Sequence, residues 1–292
     1  MNRQVVRYSV VIFYLLIPLE FFYMASPFAI YFYSVYGPGL RFLNANPVMA
    51  WLSSFFLPHI VFETSSVWLN LRDVLGAALA IIGFLAFCVG AGQVYYYKLS
   101  KKGAVTGGIY NHIRHPQYLS FGICSFGLLL LWRRYIALIV FVAVLFAYYF
   151  LAKAEENECE RKFGPSYVQY KKRTNMFLPF GLPLTNKLPG LPESGLKRYM
   201  AIFALYLVTV TASVGLANGL KSWSLDSLYA LYSKDAAYIS LNKLDEDTFA
   251  KIVEIALAEE EIRIMLENAK GGASTRFINY ILPTEWYAPK SL

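Results

Sequence analysis

Residues Leu119–Ala152 read LSFGICSFGLLLLWRRYIALIVFVAVLFAYYFLA, two apolar runs parted only by Arg133-Arg134. A bilayer-spanning helix needs about 20 mostly apolar residues, and both runs meet or approach that length. So short a connection predicts an antiparallel helical hairpin. The chain that enters the membrane after Tyr118 then returns to the same face near Glu155. GGIYNHIRHPQY (Gly107–Tyr118) and AEENECE (Ala154–Glu160) meet there, although some forty residues separate them.

Working outward, the 292 residues are 57% hydrophobic and only 16% charged, against about a quarter charged in soluble domains. The fold class read from this is an all-α integral membrane protein with about five transmembrane helices, a cytoplasm-facing pocket and a small helical C-terminal tail. The first span covers roughly Ser9–Tyr36, interrupted by Pro18, Glu20 and Pro27 and ended by Gly37-Pro38-Gly39. It lacks the small-residue cleavage site of a signal peptide, so it reads as retained. Residues 47–62 are too short for a span and read as a re-entrant or interfacial segment. Clear spans follow at Val74–Tyr97, in the hairpin, and at Tyr199–Leu216. The expected organisation is an N-terminal part (1–69), a core (70–190), an additional span (191–218) and a tail (219–292).

The net charge of +8 forms no arm or stripe, which argues against nucleic acid; the basic residues flank apolar runs instead. Lys98, Lys101, Lys102, Lys153, Lys162 and Lys171 share one side, which the positive-inside rule assigns to the cytoplasm. Arg133-Arg134 is a local exception. From Lys221 onward eight Lys/Arg face eleven Asp/Glu, so the tail is expected on the non-cytoplasmic side. The location implied is a multi-pass membrane protein, of the plasma or inner membrane in a prokaryote and the endoplasmic reticulum in a eukaryote. In the tail, Asp245-Glu-Asp-Thr248 caps a helix carrying Phe249, Ile252, Val253 and Ala256, stopped by Gly271-Gly272. The three cysteines, Cys88, Cys124 and Cys159, are scattered and form no disulfide framework.

The polar residues near the hairpin mouth carry the chemistry. Gly103, Gly107 and Gly108 permit close backbone approach or positive φ, and Pro116 keeps His115 extended. Tyr110 and Tyr118 offer flat faces with polar tips, suited to a purine or a ribose at the lipid–water boundary. Adjacent Glu155 and Glu156 remain charged together most easily if one binds hydroxyl or ammonium donors and the other faces water or a basic side chain. His112 and His115 suggest a metal, but only His59 remains as a further histidine and Pro116 opposes a regular helix, so no metal site is expected. A hydrolase built on Ser120 and His115 lacks the GxSxG elbow.

Val105-Thr-Gly-Gly-Ile-Tyr-Asn-His-Ile-Arg-His-Pro-Gln-Tyr118 resembles the T-x-G-x-Y-x-x-x-R-H-P-x-Y signature of the isoprenylcysteine carboxyl methyltransferase and phospholipid methyltransferase group. Glu155-Glu156, followed by Lys162-Phe-Gly-Pro-Ser-Tyr-Val-Gln-Tyr-Lys171, resembles that group's second motif. The resemblance spans about residues 70–180. It implies an S-adenosyl-L-methionine-dependent enzyme that methylates a lipophilic or membrane-associated acceptor drawn from the bilayer: an isoprenylcysteine-like carboxylate, a lipid amine or a thiol. It places cofactor contacts on Lys102, Gly103, Ala104, Val105, Tyr110, His115, Pro116, Gln117, Tyr118 and Glu155. Glu156 completes the motif, and Arg114 is the candidate for orienting an anionic acceptor or the cofactor carboxylate; these two form the expected catalytic pair. Eukaryotic prenylcysteine enzymes place an arginine four residues before the first glutamate, where this chain has Leu151, a departure that bears on the acceptor. Two alternatives share parts of the pattern: an NADPH-dependent sterol-type reductase, and a non-enzymatic membrane scaffold with a degenerate pocket.

Overall fold

The computed structural model describes residues 30–100, 103–178, 195–269 and 277–282. Lys102, most of the expected first span and Gly271-Gly272 lie outside them. The chain divides into two compact units, residues 1–55 with 73–217, and residues 56–72 with 218–292.

The first unit is helical. Helix α1 (Ile30–Ala45) runs through Gly37-Pro38-Gly39 rather than stopping there. Proline costs a helix one hydrogen bond, and membrane helices tolerate that loss where neighbours satisfy the freed group. A single turn, α2 (Ala50–Ser53), follows. Helix α4 (Arg72–Leu99), preceded in the chain by the second unit's short α3 (Val67–Asn70), leads to the hairpin of α5 (Pro116–Leu131) and α6 (Tyr135–Phe163). Pro116 occupies the first turn of α5, where its missing N–H costs nothing. Helix α7 (Pro165–Arg173) follows α6 directly, and α8 (Leu196–Asp226) completes the series. Three of these helices are long and apolar enough to cross a membrane: Arg72–Tyr97, Tyr135–Phe163 and Leu196–Asp226; α5 is apolar but shorter. Helix α8 continues ten residues beyond the apolar run read from the sequence.

At the hairpin turn both arginines are engaged. Buried Arg133 donates to Asp73 Oδ1 at 2.6 and 2.9 Å and to the Leu130 carbonyl at 3.1 Å. The Arg134 guanidinium lies 4.0 Å from the Phe55 ring centroid and 5.0 Å from that of Trp132, and donates to the Ser53 carbonyl. These contacts clamp the turn to neighbouring elements. Inside the hairpin, Phe121, Val144, Tyr148 and Leu151 form a buried cluster against which Phe87, Tyr118 and Val140 pack.

The second unit corrects the expectation of a helical tail. It holds a three-stranded sheet in the order β1 (Ala230–Tyr232), β2 (Ala236–Ser240), β3 (Phe277–Ile281). The first pair is antiparallel, the second parallel. Strands of three and five residues carry too few alternations to stand out in a sequence. The predicted helix is present as α9 (Glu246–Ala258), with Asp245 accepting from the Thr248 N–H at 2.9 Å and Phe249 buried. It breaks at extended Glu259, and a second helix, α10 (Glu260–Ala269), begins; nothing in the sequence pattern marks that break.

Residues 47–62 hold only the four-residue α2 as helix. Val61 instead packs with Ile239 and Leu241 in a small core. The Phe62 and Glu63 N–H groups donate to the Leu241 carbonyl at 3.0 and 3.1 Å, and Ser65 N–H to Ser227 at 2.9 Å. Val61 thus belongs to a core shared with residues far along the chain, while Ile60 and Phe62 beside it are exposed.

Candidate functional site

The chain between α4 and α5 folds into a 3₁₀ turn at Gly108–Asn111, with Gly103 and Gly108 at φ 85° and 63°. Tyr110 at its centre is buried and donates to the Gly90 carbonyl on α4 at 3.3 Å, as does Gln117 Nε2. From the other side, the Tyr170 hydroxyl on α7 donates to the Tyr110 carbonyl at 2.7 Å. Burial pushes the Tyr170 hydroxyl up to about 12 and raises that of Tyr110 well above the ordinary tyrosine range, so both are neutral donors. Residues 175–176 run beside 113–115, accepting from the Arg114 N–H at 2.9 Å and the His115 N–H at 3.1 Å.

These elements line an open-mouthed cavity of about 590 Å³, inside the range of about 300–1,000 Å³ usual for small-molecule sites. Gly103, Ala104, Val105, Tyr110, Arg114, His115, Gln117, Tyr118 and Glu155 all line it. Sequence reasoning did not assign Val94, Tyr97, Glu158, Cys159, Lys162, Phe163, Tyr167 or Tyr170, which line it too. The signal for the last four was present in the Lys162–Lys171 motif, whose aromatic spacing of three places Tyr167 and Tyr170 on one face of α7. Pro116 is buried outside the lining, fixing the start of α5. His112 is exposed and takes no part.

Adjacent Glu155 and Glu156 diverge completely. Glu155 is half-buried, accepts from the Tyr118 hydroxyl at 2.5 Å, and has Oε2 at 3.5 Å from His115 Nδ1. Glu156, expected with Arg114 to carry the chemistry, is not among the lining residues. It is fully buried, with Oε1 at 2.6 Å from Arg114 Nε and 3.5 Å from His115 Nε2, and Oε2 at 3.1 Å from Lys171 Nζ. One residue along a helix turns a side chain by about 100°, enough to send one carboxylate into the cavity and its neighbour into the protein. Arg114 also donates to the carbonyls of Lys171, at 3.0 Å, and Thr174. Its guanidinium therefore organises the loop and the end of α7.

His115, Tyr118 and Tyr148 form a run of near-parallel rings, with centroids 5.6 and 5.0 Å apart and 14° between planes in both pairs. Burial alone would lower the His115 pKa, but hydrogen bonding to Glu155 and Glu156 outweighs it and the net shift is upward. The stabilisation from charged His115 is thus complete below the ordinary imidazole value near 6.5 and is lost as pH rises through the raised one. The stability difference between wild type and His115→Gln in detergent should therefore be largest in acid and shrink towards alkaline pH. A difference that grows with pH would contradict the charged pairing with Glu155 and Glu156.

The arrangement fits an adenosyl cofactor on its donor set: aromatic faces at Tyr110 and Tyr118, a half-buried carboxylate at Glu155, and backbone at Gly103–Val105. The phospholipid methyltransferase family matches residues 71–166. The protein-S-isoprenylcysteine O-methyltransferase of Saccharomyces cerevisiae is 28% identical over 138 residues, 44% of this chain and 58% of that protein. The enzyme of the same name from Schizosaccharomyces pombe is 33% identical over 102 residues, 33% of this chain and 42% of that protein. The chain thus spans about half the length of the curated relatives it matches. No solved structure matches it.

Proposed function

We propose, from a core segment of the phospholipid methyltransferase family at residues 71–166, that this protein is an integral membrane methyltransferase using S-adenosyl-L-methionine on a lipophilic acceptor. The observation that carries the reading is the convergence of Tyr110, His115, Tyr118 and Glu155 with the Gly103–Val105 backbone on one cavity at the ends of apolar helices. Bound there, the cofactor supplies a sulfonium-activated methyl group.

The chain's own residues position and exclude water. Tyr118 fixes one oxygen of Glu155, and the other, beside His115 Nδ1, keeps a further lone pair for ribose hydroxyls or an ammonium group. Tyr110 and Tyr118 provide the wall for a flat base. Lys162, exposed at the rim, and Arg114 are the lysine and arginine side chains of the lining. Because Arg114 is held by Glu156 and two carbonyls, the reading moves it from acceptor orientation to shaping the pocket, and Glu156 likewise from chemistry to positioning. Proximity and orientation supply the rate, since displacement at an activated methyl needs no general base when the acceptor is an anion.

The acceptor comes from the bilayer. The relatives' names point to a lipidated cysteine, and the family's description to a phospholipid. Leu151 is buried among Phe121, Val144 and Tyr148, so an acceptor carboxylate finds no cation at that position.

Calorimetry of detergent-purified protein with S-adenosylhomocysteine tests the reading, with NADPH as the competing ligand. We expect S-adenosylhomocysteine to bind and Glu155→Ala to weaken it by about 10–100-fold, the loss of one or two charge-assisted hydrogen bonds. Binding of NADPH alone would sink the proposal.

A further inference from the structure

Helix α7 is nine residues long and hinged on Gly164, whose φ of 59° and ψ of −137° suit a residue without a side chain. An isolated helix of this length does not hold itself together in water, so its order comes from docking. Tyr167 and Tyr170 make it a wall of the cavity. Polar contacts tie it back. Tyr170 donates to the Tyr110 carbonyl, Arg114 donates to the carbonyls of Lys171 and Thr174, and Lys171 Nζ lies 3.1 Å from Glu156 Oε2 and 2.6 Å from Glu160 Oε1. The first two involve residues that line the cavity. Lys171 does not line it, yet it is the α7 side chain that reaches both carboxylates on α6, while Lys172 and Arg173 beside it are exposed.

We propose that Lys171 is a latch: a positioning residue that, by bridging Glu156 and Glu160, holds α7 against the cavity and thereby sets how long the cofactor is retained. The second half of this inference rests on the methyltransferase reading; the first does not. Removing the ammonium leaves Glu156 paired with Arg114 at 2.6 Å, so Lys171→Met keeps a compensated buried carboxylate and a protein able to fold. What it loses is the tether across the hinge.

Hydrogen exchange on ligand-free, detergent-purified protein reads the latch directly. In Lys171→Met the amides of residues 167–173 should exchange about tenfold faster, those of the α5–α6 hairpin at the wild-type rate, and Lys171→Arg should restore protection to within about threefold. Lys172→Met should match wild type. Dissociation of S-adenosylhomocysteine should accelerate about tenfold in Lys171→Met, with partial rescue by Lys171→Arg. Unchanged exchange in Lys171→Met would overturn the latch whether or not any cofactor binds. Faster exchange with unchanged dissociation would overturn the retention role. Wild-type protein that binds no S-adenosylhomocysteine would refute the functional reading, and the retention role with it.

Discussion

Glu156→Ala should melt far below the wild-type protein in detergent and lose cofactor binding at any temperature where it stays folded. The carboxylate is fully buried and faces Arg114, His115 and Lys171. Removing one partner of a buried ion pair costs about 3–5 kcal/mol, because the remaining charge keeps its desolvation penalty without compensation. Here Arg114 and His115 are themselves buried, at 9% and 7% side-chain exposure, so the penalty falls on groups that cannot move into water. Arg114 also holds the end of α7 and, through its backbone, residue 175. Its release loosens two walls of the cavity together. Glu155→Ala provides the contrast: its side chain is 45% exposed, so it should lose ligand affinity with little change in melting temperature. If the two variants melted together, the division of labour between the adjacent glutamates would be wrong.

The second large effect concerns two glycines on one helix. A Cβ added at Gly127 on α5 would fall on the Ala80 amide nitrogen and, at 2.5 Å, the Gly76 carbonyl oxygen of α4. A Cβ at Gly122 would meet only Leu145 Cδ2 at 3.5 Å, an ordinary contact. Gly76, Ala80 and Gly83 lie one above another on α4, and Gly83 is similarly close to the backbone of Ser120 and Cys124. This is the small-residue crossing through which membrane helices gain packing without a hydrophobic driving force. Overpacking costs about 1–3 kcal/mol where side chains give way. Backbone cannot, so Gly127→Ala should reach or exceed the upper end while Gly122→Ala stays within about 1 kcal/mol. Gly90, on the same α4 face, accepts from Tyr110 and Gln117, so splaying the helices also displaces the cavity floor. Thermal melting together with S-adenosylhomocysteine affinity for the pair checks this; equal behaviour of the two alanine variants would refute the tight crossing.

The hairpin was legible because two long apolar runs with a two-residue break leave few arrangements open, and it alone brings Tyr118 and Glu155 together. The pairing of opposite walls was legible too, since the glycine-bounded segment and the acidic one carry unusual residue types beside lipid-like sequence. What sequence could not separate was Glu155 from Glu156. Two identical neighbours differ only in helical azimuth, and that is fixed by partners at 114, 115 and 171. The sheet and the role of residues 56–72 were hidden for a related reason. Val61 gains its meaning from Ile239 and Leu241, and periodicity within one stretch says nothing about a partner nearly two hundred residues away.

That last pairing also constrains the path of the chain. Two stretches joined by backbone hydrogen bonds, as Phe62 and Glu63 are to Leu241, lie in a single compartment. The polypeptide between them must then pass through any bilayer an even number of times. If α4, α6 and α8 each cross once, three passages leave the count odd, and the apolar sixteen-residue α5 is the element that makes it even. A complete crossing by α5 would satisfy that parity, and at about 24 Å for sixteen residues, shorter than the usual hydrocarbon core, it would require the bilayer around the hairpin to thin.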